Sequence, residues 1–205
     1  MGIKIYLSTN CDYYFTFEQL INEKISILGI PIDGSTSEIH DFHRGKGSFS
    51  NVMNVMNNII SSNNNLLLKI GTVVTNYNFK NLNLIEELLN NYNDKILFWK
   101  LYELIIYEKN KNALQMKSDD FILQKDFGSY IESSKIIIDT KEKRDSSYFF
   151  IKPNGDLFVP ILNHSGCFEK ILGNMLVDNP IDCIKRFEKN CNFNGYYANY
   201  RYMKV

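Results

Sequence analysis

The chain has 205 residues, 44% of them hydrophobic, and 23 basic side chains against 23 acidic ones give a formal net charge of zero. That length can bury one substantial core, and the neutral balance argues against a nucleic-acid polymer or a membrane surface as partner. No apolar run reaches the ~20 residues of a membrane helix and no signal peptide is visible, so the chain reads as cytoplasmic, with Cys11, Cys167, Cys183 and Cys191 as free thiols.

The chain opens directly on a strand, Ile3-Lys4-Ile5-Tyr6-Leu7, closed by the polar run Ser8-Thr9-Asn10-Cys11. A parallel strand is normally covered on both sides, so this one is expected to have lost its neighbours or to borrow them from another chain. A helix is predicted over about 15–26, where Thr16 can cap its start. A short apolar strand, Ile27 to Ile32, ends at Asp33-Gly34, and a polar loop from Ser35 to Gly47 leads into a helix over about 48–61. There Phe49, Val52, Met53, Val55, Met56 and Ile59 fall near helical spacing. Leu66 to Val74 reads as a strong strand, 80–91 as a helix and Ile96 to Tyr102 as a further strand. This β-α-β-α-β-α-β order predicts right-handed crossovers and a parallel sheet with helices outside it.

The pattern then changes. Residues 107–120 are charged and polar, and a helix is predicted near 118–131. Strand-like segments follow at 134–139 and 147–151, and the turn Pro153-Asn154-Gly155-Asp156 into 157–160 marks a hairpin. A last helix over about 180–189 precedes an aromatic tail, Tyr196 to Tyr202, that this reading leaves unassigned. The division expected is an α/β unit over 1–105 and a C-terminal extension, with hairpin and helix, over 106–205.

In parallel α/β architectures ligands gather at the carboxyl ends of the strands. Those ends here carry Thr9 and Asn10, Asp33 and Gly34, Thr72, and Lys100 with Tyr102. The alternative is that these residues only cap helices and make turns. The densest polar cluster is Glu38 to Gly47, where Arg44 beside glycines can clamp a carboxylate or phosphate bidentately. His40 and His43 have no surrounding ligands at metal-site spacing, so no metal site is expected. Twenty-six asparagines suggest compositional bias, and single asparagines carry little weight as functional evidence.

In this order the motifs resemble the later part of the radical S-adenosylmethionine (AdoMet) enzymes. The carriers are Ser8-Thr9-Asn10-Cys11, Pro31-Ile32-Asp33-Gly34, His40-Asp41 with Arg44-Gly45-Lys46-Gly47-Ser48-Phe49, Lys69-Ile70-Gly71-Thr72-Val73-Val74-Thr75 and Trp99-Lys100-Leu101-Tyr102. Lys152-Pro153-Asn154-Gly155-Asp156 and Leu172-Gly173-Asn174 are similar to that family's C-terminal extension. The strand pair bearing Lys69 and Lys100 is partly viperin-like, although Phe98 stands where viperin has an arginine.

The resemblance implies a partial parallel (βα) barrel with a C-terminal extension. It implies that Thr9, Asn10, Asp33, Arg44 and Thr72 line an AdoMet site, while Lys69, Lys100 and Tyr102 face a nucleotide or peptide substrate. A complete enzyme of this kind cleaves AdoMet at a [4Fe–4S] cluster to a 5′-deoxyadenosyl radical. The family's CxxxCxxC loop and Gly-Gly-Glu motif occur nowhere in this sequence, Pro31 replaces a serine, and Cys11 replaces a glycine suited to positive φ. Neither cofactor is therefore expected to bind stably to this chain alone, and the missing half is expected either from the same gene, split or truncated here, or from another chain. The alternative is a non-catalytic remnant that acts as an interaction subunit through its open sheet edge.

Overall fold

The computed structural model describes residues 5–12, 25–62, 65–105, 114, 121, 130–163 and 166–192. The chain divides into two compact units, Met1–Glu103 with Met116–Ile138, and Leu104–Gln115 with Asp139–Val205.

The first unit is built on a five-stranded sheet in sequential order. Its strands are β1 (Ile5–Ser8), β2 (Ile25–Pro31), β3 (Leu67–Val74), β4 (Ile96–Glu103) and β5 (Ile136–Asp139). The first four pair in parallel, as the alternating pattern predicts. The segment expected at 134–139 as part of the C-terminal extension instead forms β5 at the edge of this sheet. Its short apolar run carries no mark of which sheet it will join.

Strand β3 shows how the sheet sorts its residues. Leu68, Ile70, Thr72 and Val74 are buried, while Leu67, Lys69, Gly71 and Val73 on the other face are less so, the period-2 alternation of a strand. The buried set shares one core with Val52, Met56 and Ile59 of helix α2 (Ser48–Ser61) and with Leu82, Ile85 and Leu89 of α3 (Leu82–Asn90). Helix α2 has the predicted bounds because its apolar residues recur at helical spacing.

Residues 37–44, expected as loop, form helix α1 (Ser37–Arg44). Their polarity hid it: the residue this helix buries is His40, not an aliphatic one. Asp41 of α1 accepts from the backbone N–H groups of Gly47 (2.7 Å) and Phe49 (2.8 Å), satisfying donors at the start of α2. Those two bonds hold its carboxyl below the usual range.

The second unit holds a three-stranded antiparallel sheet, β6 (Phe150–Ile151), β7 (Asp156–Asn163) and β8 (Gly166–Asn174). Gly155 takes φ 88° in the turn the sequence marked. Strand β8 was not foreseen. Helix α4 (Lys141–Arg144) is short, and α5 (Pro180–Asn190) starts on Pro180 with the Asn179 side chain accepting from Ile181 N–H at 2.9 Å. Cys183 and Phe187 of α5 pack with Leu157, Val159 and Leu172. The helices expected at 15–26 and 118–131 lie wholly or mostly outside the described residues, as does the aromatic tail. No described helix is long and apolar enough to cross a membrane.

Candidate functional site

The carboxyl ends of β1, β2 and β3 surround a cavity of about 300 Å³. Five of the eight candidate residues line it: Thr9, Asn10, Arg44, Lys69 and Tyr102. The other three, Asp33, Thr72 and Lys100, lie outside its wall.

Asp33 lies behind the wall and organises it. Only 1% of its side chain is exposed, and it accepts from Arg44 Nε at 2.5 Å and from the Val73 N–H at 2.7 Å. Its own N–H donates to His40 Nδ1 at 3.1 Å, while His40 Nε2 lies 3.3 Å from Ser48 Oγ. That bond makes Nδ1 the acceptor, so the neutral tautomer carries its proton on Nε2. Burial lowers the His40 pKa, as it does that of His43, whose Nε2 lies 3.4 Å from Thr75 Oγ1. Among the described residues no three ligand-type side chains group as a metal site would need.

Arg44 is the last residue of α1 rather than part of a loop, and 32% of its side chain is exposed. Its Nε is taken by Asp33, which leaves the two Nη groups of the fork for the cavity. Thr72 has another role. Its hydroxyl donates to the Ile32 carbonyl at 2.5 Å and accepts from Trp99 Nε1 at 2.9 Å, so it is a strut inside the core.

Lys69 projects from the cavity face of β3. Its Nζ donates to Tyr6 Oη at 2.9 Å and lies 5.0, 5.7 and 5.9 Å from the ring centroids of Tyr6, Tyr102 and Phe98. Burial pulls its pKa down, but the phenols of Tyr102 and Tyr6 outweigh that and the net shift is upward. Lys100 is buried on β4, its Nζ 5.1 Å from the Tyr102 ring, so that ring stands between two ammonium groups.

The remaining polar wall comes from turns. Thr9 Oγ1 accepts from Cys11 N–H at 3.0 Å, and Asn10 Nδ2 donates to Asp12 at 2.5 Å. Cys11 takes φ 63° without being glycine, and burial, with Asp12 beside it, pushes its thiol up to about 12. Among the described residues the wall thus holds two cations, Arg44 and Lys69, and no carboxylate. Such a cavity suits an anionic or zwitterionic ligand.

Several site-building residues have no signal in the sequence. Asn78 donates to the carbonyls of Asp33 (3.0 Å) and Val73 (2.9 Å), and its Oδ1 accepts from the Thr75 N–H at 2.8 Å. Asn81 binds the Ser35 N–H and hydroxyl at 2.7 and 2.9 Å. In a chain so rich in asparagine neither stands out. Tyr6 was findable, since it lies two residues before Ser8 on the same face of a strand.

Two solved structures share this fold. One is described as a polyhistidine-tagged anSMEcpe with bound AdoMet, with a TM-score of 0.60 at 14% identity, covering 96% of this chain and 61% of that one. The other, native anSMEcpe with bound AdoMet and Kp18Cys peptide, gives 0.55 at 15% identity over the same shares. The likeness establishes the fold. This chain spans about 61% of the length of those structures. No family model matches the sequence, and no curated protein matches it.

Proposed function

We propose that these residues form the later βα units of a radical AdoMet enzyme and contribute the AdoMet-facing wall of its site. The observation that carries this reading is the Arg44–Asp33 pair at the cavity mouth, which presents the free fork of a guanidinium to a ligand carboxylate. The order of the motifs and the fold shared with two AdoMet-bound structures support it. Arg44 would hold the AdoMet carboxylate, with Thr9 and Asn10 beside it, while Asp33 fixes the guanidinium and Thr72 braces the strand behind. Lys69, Lys100 and Tyr102 would form the substrate side, for a nucleotide or peptide.

The AdoMet carboxylate fits the Arg44 guanidinium, while its ammonium and sulfonium, which make it a net cation, find no carboxylate among the described lining residues. A [4Fe–4S] cluster does not fit the cysteines. Cys11 is buried with its thiol held protonated, Cys183 is buried in the second unit, and no CxxxCxxC spacing occurs. The cluster ligands would come from a polypeptide segment outside these 205 residues. Together the two cofactors would supply hydrogen-atom abstraction, and this chain would position AdoMet and substrate and keep water away. The four free cysteines suit a cytoplasmic setting.

AdoMet titrated calorimetrically into the chain fused to cluster-bearing first units of a related barrel tests this. Arg44→Lys keeps the charge beside Asp33 but loses the fork, and should weaken binding by about tenfold. Lys185→Ala, on an exposed part of α5, should leave it unchanged. Equal affinities for wild type and Arg44→Lys would reduce Arg44 to a helix terminus.

A second reading has its own observation. Strand β1 lies at the edge of its sheet and Ile5 is exposed, so the chain could serve as a non-catalytic interaction subunit that adds a partner strand there. The same fusion separates the two readings, because only the first expects AdoMet cleavage.

A further inference from the structure

On the cavity wall away from Arg44, three side chains converge on one oxygen. Tyr6 Oη lies 2.9 Å from Lys69 Nζ and 3.2 Å from Ser8 Oγ. The strand register brings them together: Ser8 pairs with Gly29 and Gly29 with Lys69 across β1, β2 and β3, and Tyr6 lies two residues back on the face of Ser8. Gly29 leaves the space the phenol occupies, since a Cβ there would lie 2.4 Å from Tyr6 Oη. All four residues line the cavity, and among the described residues no carboxylate does. Among the described lining residues a proton can come from a hydroxyl or from the Lys69 ammonium, and Tyr6 Oη is the hydroxyl reached by both Lys69 Nζ and Ser8 Oγ. Lys69 is the poorer donor: its phenol neighbours favour the charged form over the burial that opposes it.

The geometry points to Tyr6 as a proton-donating catalytic residue, acting on a bound small molecule with an enol- or phenol-type oxygen that becomes anionic. In the step the Tyr6 O–H bond breaks and an O–H bond forms on the substrate oxygen. The electron pair of the broken bond stays on the phenolate, 2.9 Å from the Lys69 ammonium, and a proton returns from solvent through the exposed Ser8 hydroxyl. The role does not require AdoMet at the Arg44 end.

The test uses the full 205-residue chain and 4-nitrophenol, whose phenolate mimics the anionic oxygen, is too weak a base to take the Tyr6 proton and so keeps its visible band while accepting the Tyr6 hydrogen bond. Titrated at a pH below the ionisation of the free probe, wild type should bind it and raise the bound phenolate band. Tyr6→Phe and Lys69→Met, which keep the ring and the apolar stem, should each weaken binding by about tenfold, the worth of one charge-assisted hydrogen bond, and lose that band. Lys185→Ala, on an exposed part of α5, should change neither. Thermal melts of each variant verify that it is folded. No bound phenolate band in wild type, or affinities within about threefold in Tyr6→Phe, a loss under about 0.7 kcal/mol, would overturn the assignment.

Discussion

At the residue scale the site depends on a buried charge. Asp33 is 1% exposed and has Arg44 as its ion-pair partner, so Arg44→Ala does more than remove a ligand contact. It should also destabilise the fold by about 1–2 kcal/mol in urea denaturation, less than the roughly 3–5 of a fully buried pair, because Arg44 is partly solvated. Asp33→Asn in the same background should recover part of that loss; no recovery would mean the pair contributes nothing. His40 adds a pH dependence. Its folded pKa lies below the unfolded value, so the unfolded chain binds the extra proton and stability rises with pH through that window. Stability should be flat above about pH 6.5 and fall as pH drops below it; His43 is lowered as well and adds to the fall, so His40→Asn should reduce the slope rather than abolish it. Melts across about pH 5–8 in both proteins decide this. Cys11, with its thiol pushed up to about 12, should resist iodoacetamide at about pH 8 in the native chain and react once urea exposes it.

Among elements, the loops after β2 and β3 are joined by side chains rather than by sheet hydrogen bonds. Asn78 reaches the Asp33 carbonyl of the first loop and the Val73 carbonyl and Thr75 N–H on its own side. Asn78→Ala should cost about 2–4 kcal/mol by leaving buried backbone groups unpaired. Asn78→Asp should cost at least as much, since it turns a carboxylate oxygen toward two carbonyls. Urea denaturation of both variants checks this, and a loss under about 1 kcal/mol would show that water replaces the amide. In the second unit the Asn179 cap of α5 is worth about 1 kcal/mol on the same measurement.

For the whole molecule the expectation concerns what is not encoded. With no CxxxCxxC spacing and Cys11 held protonated, anaerobic reconstitution of this chain with iron and sulfide should give no stoichiometric absorbance at about 400 nm. A full complement of cluster would mean that the cysteines gather in a way the burial of Cys11 and Cys183 argues against.

The amino-acid sequence by itself determined the parallel strand order, the bounds of α2, the Gly155 turn and the start of α5, because each is written in a local period or a local turn residue. It also brought Thr9, Asn10 and Tyr102 forward, since strand ends are where a parallel sheet collects its polar groups, and Arg44 through its glycine-flanked cluster, whereas Lys69 came forward only through the motif resemblance. Only the tertiary structure decided that 37–44 is helix, that 136–139 joins the first sheet and that Thr72 faces Trp99 rather than the cavity. It alone joined Tyr6 to Lys69 and Asn78 to Asp33. Those contacts span 63 and 45 residues, and no local pattern specifies a partner so far along the chain. Register between neighbouring strands does, and register exists only once the sheet has formed.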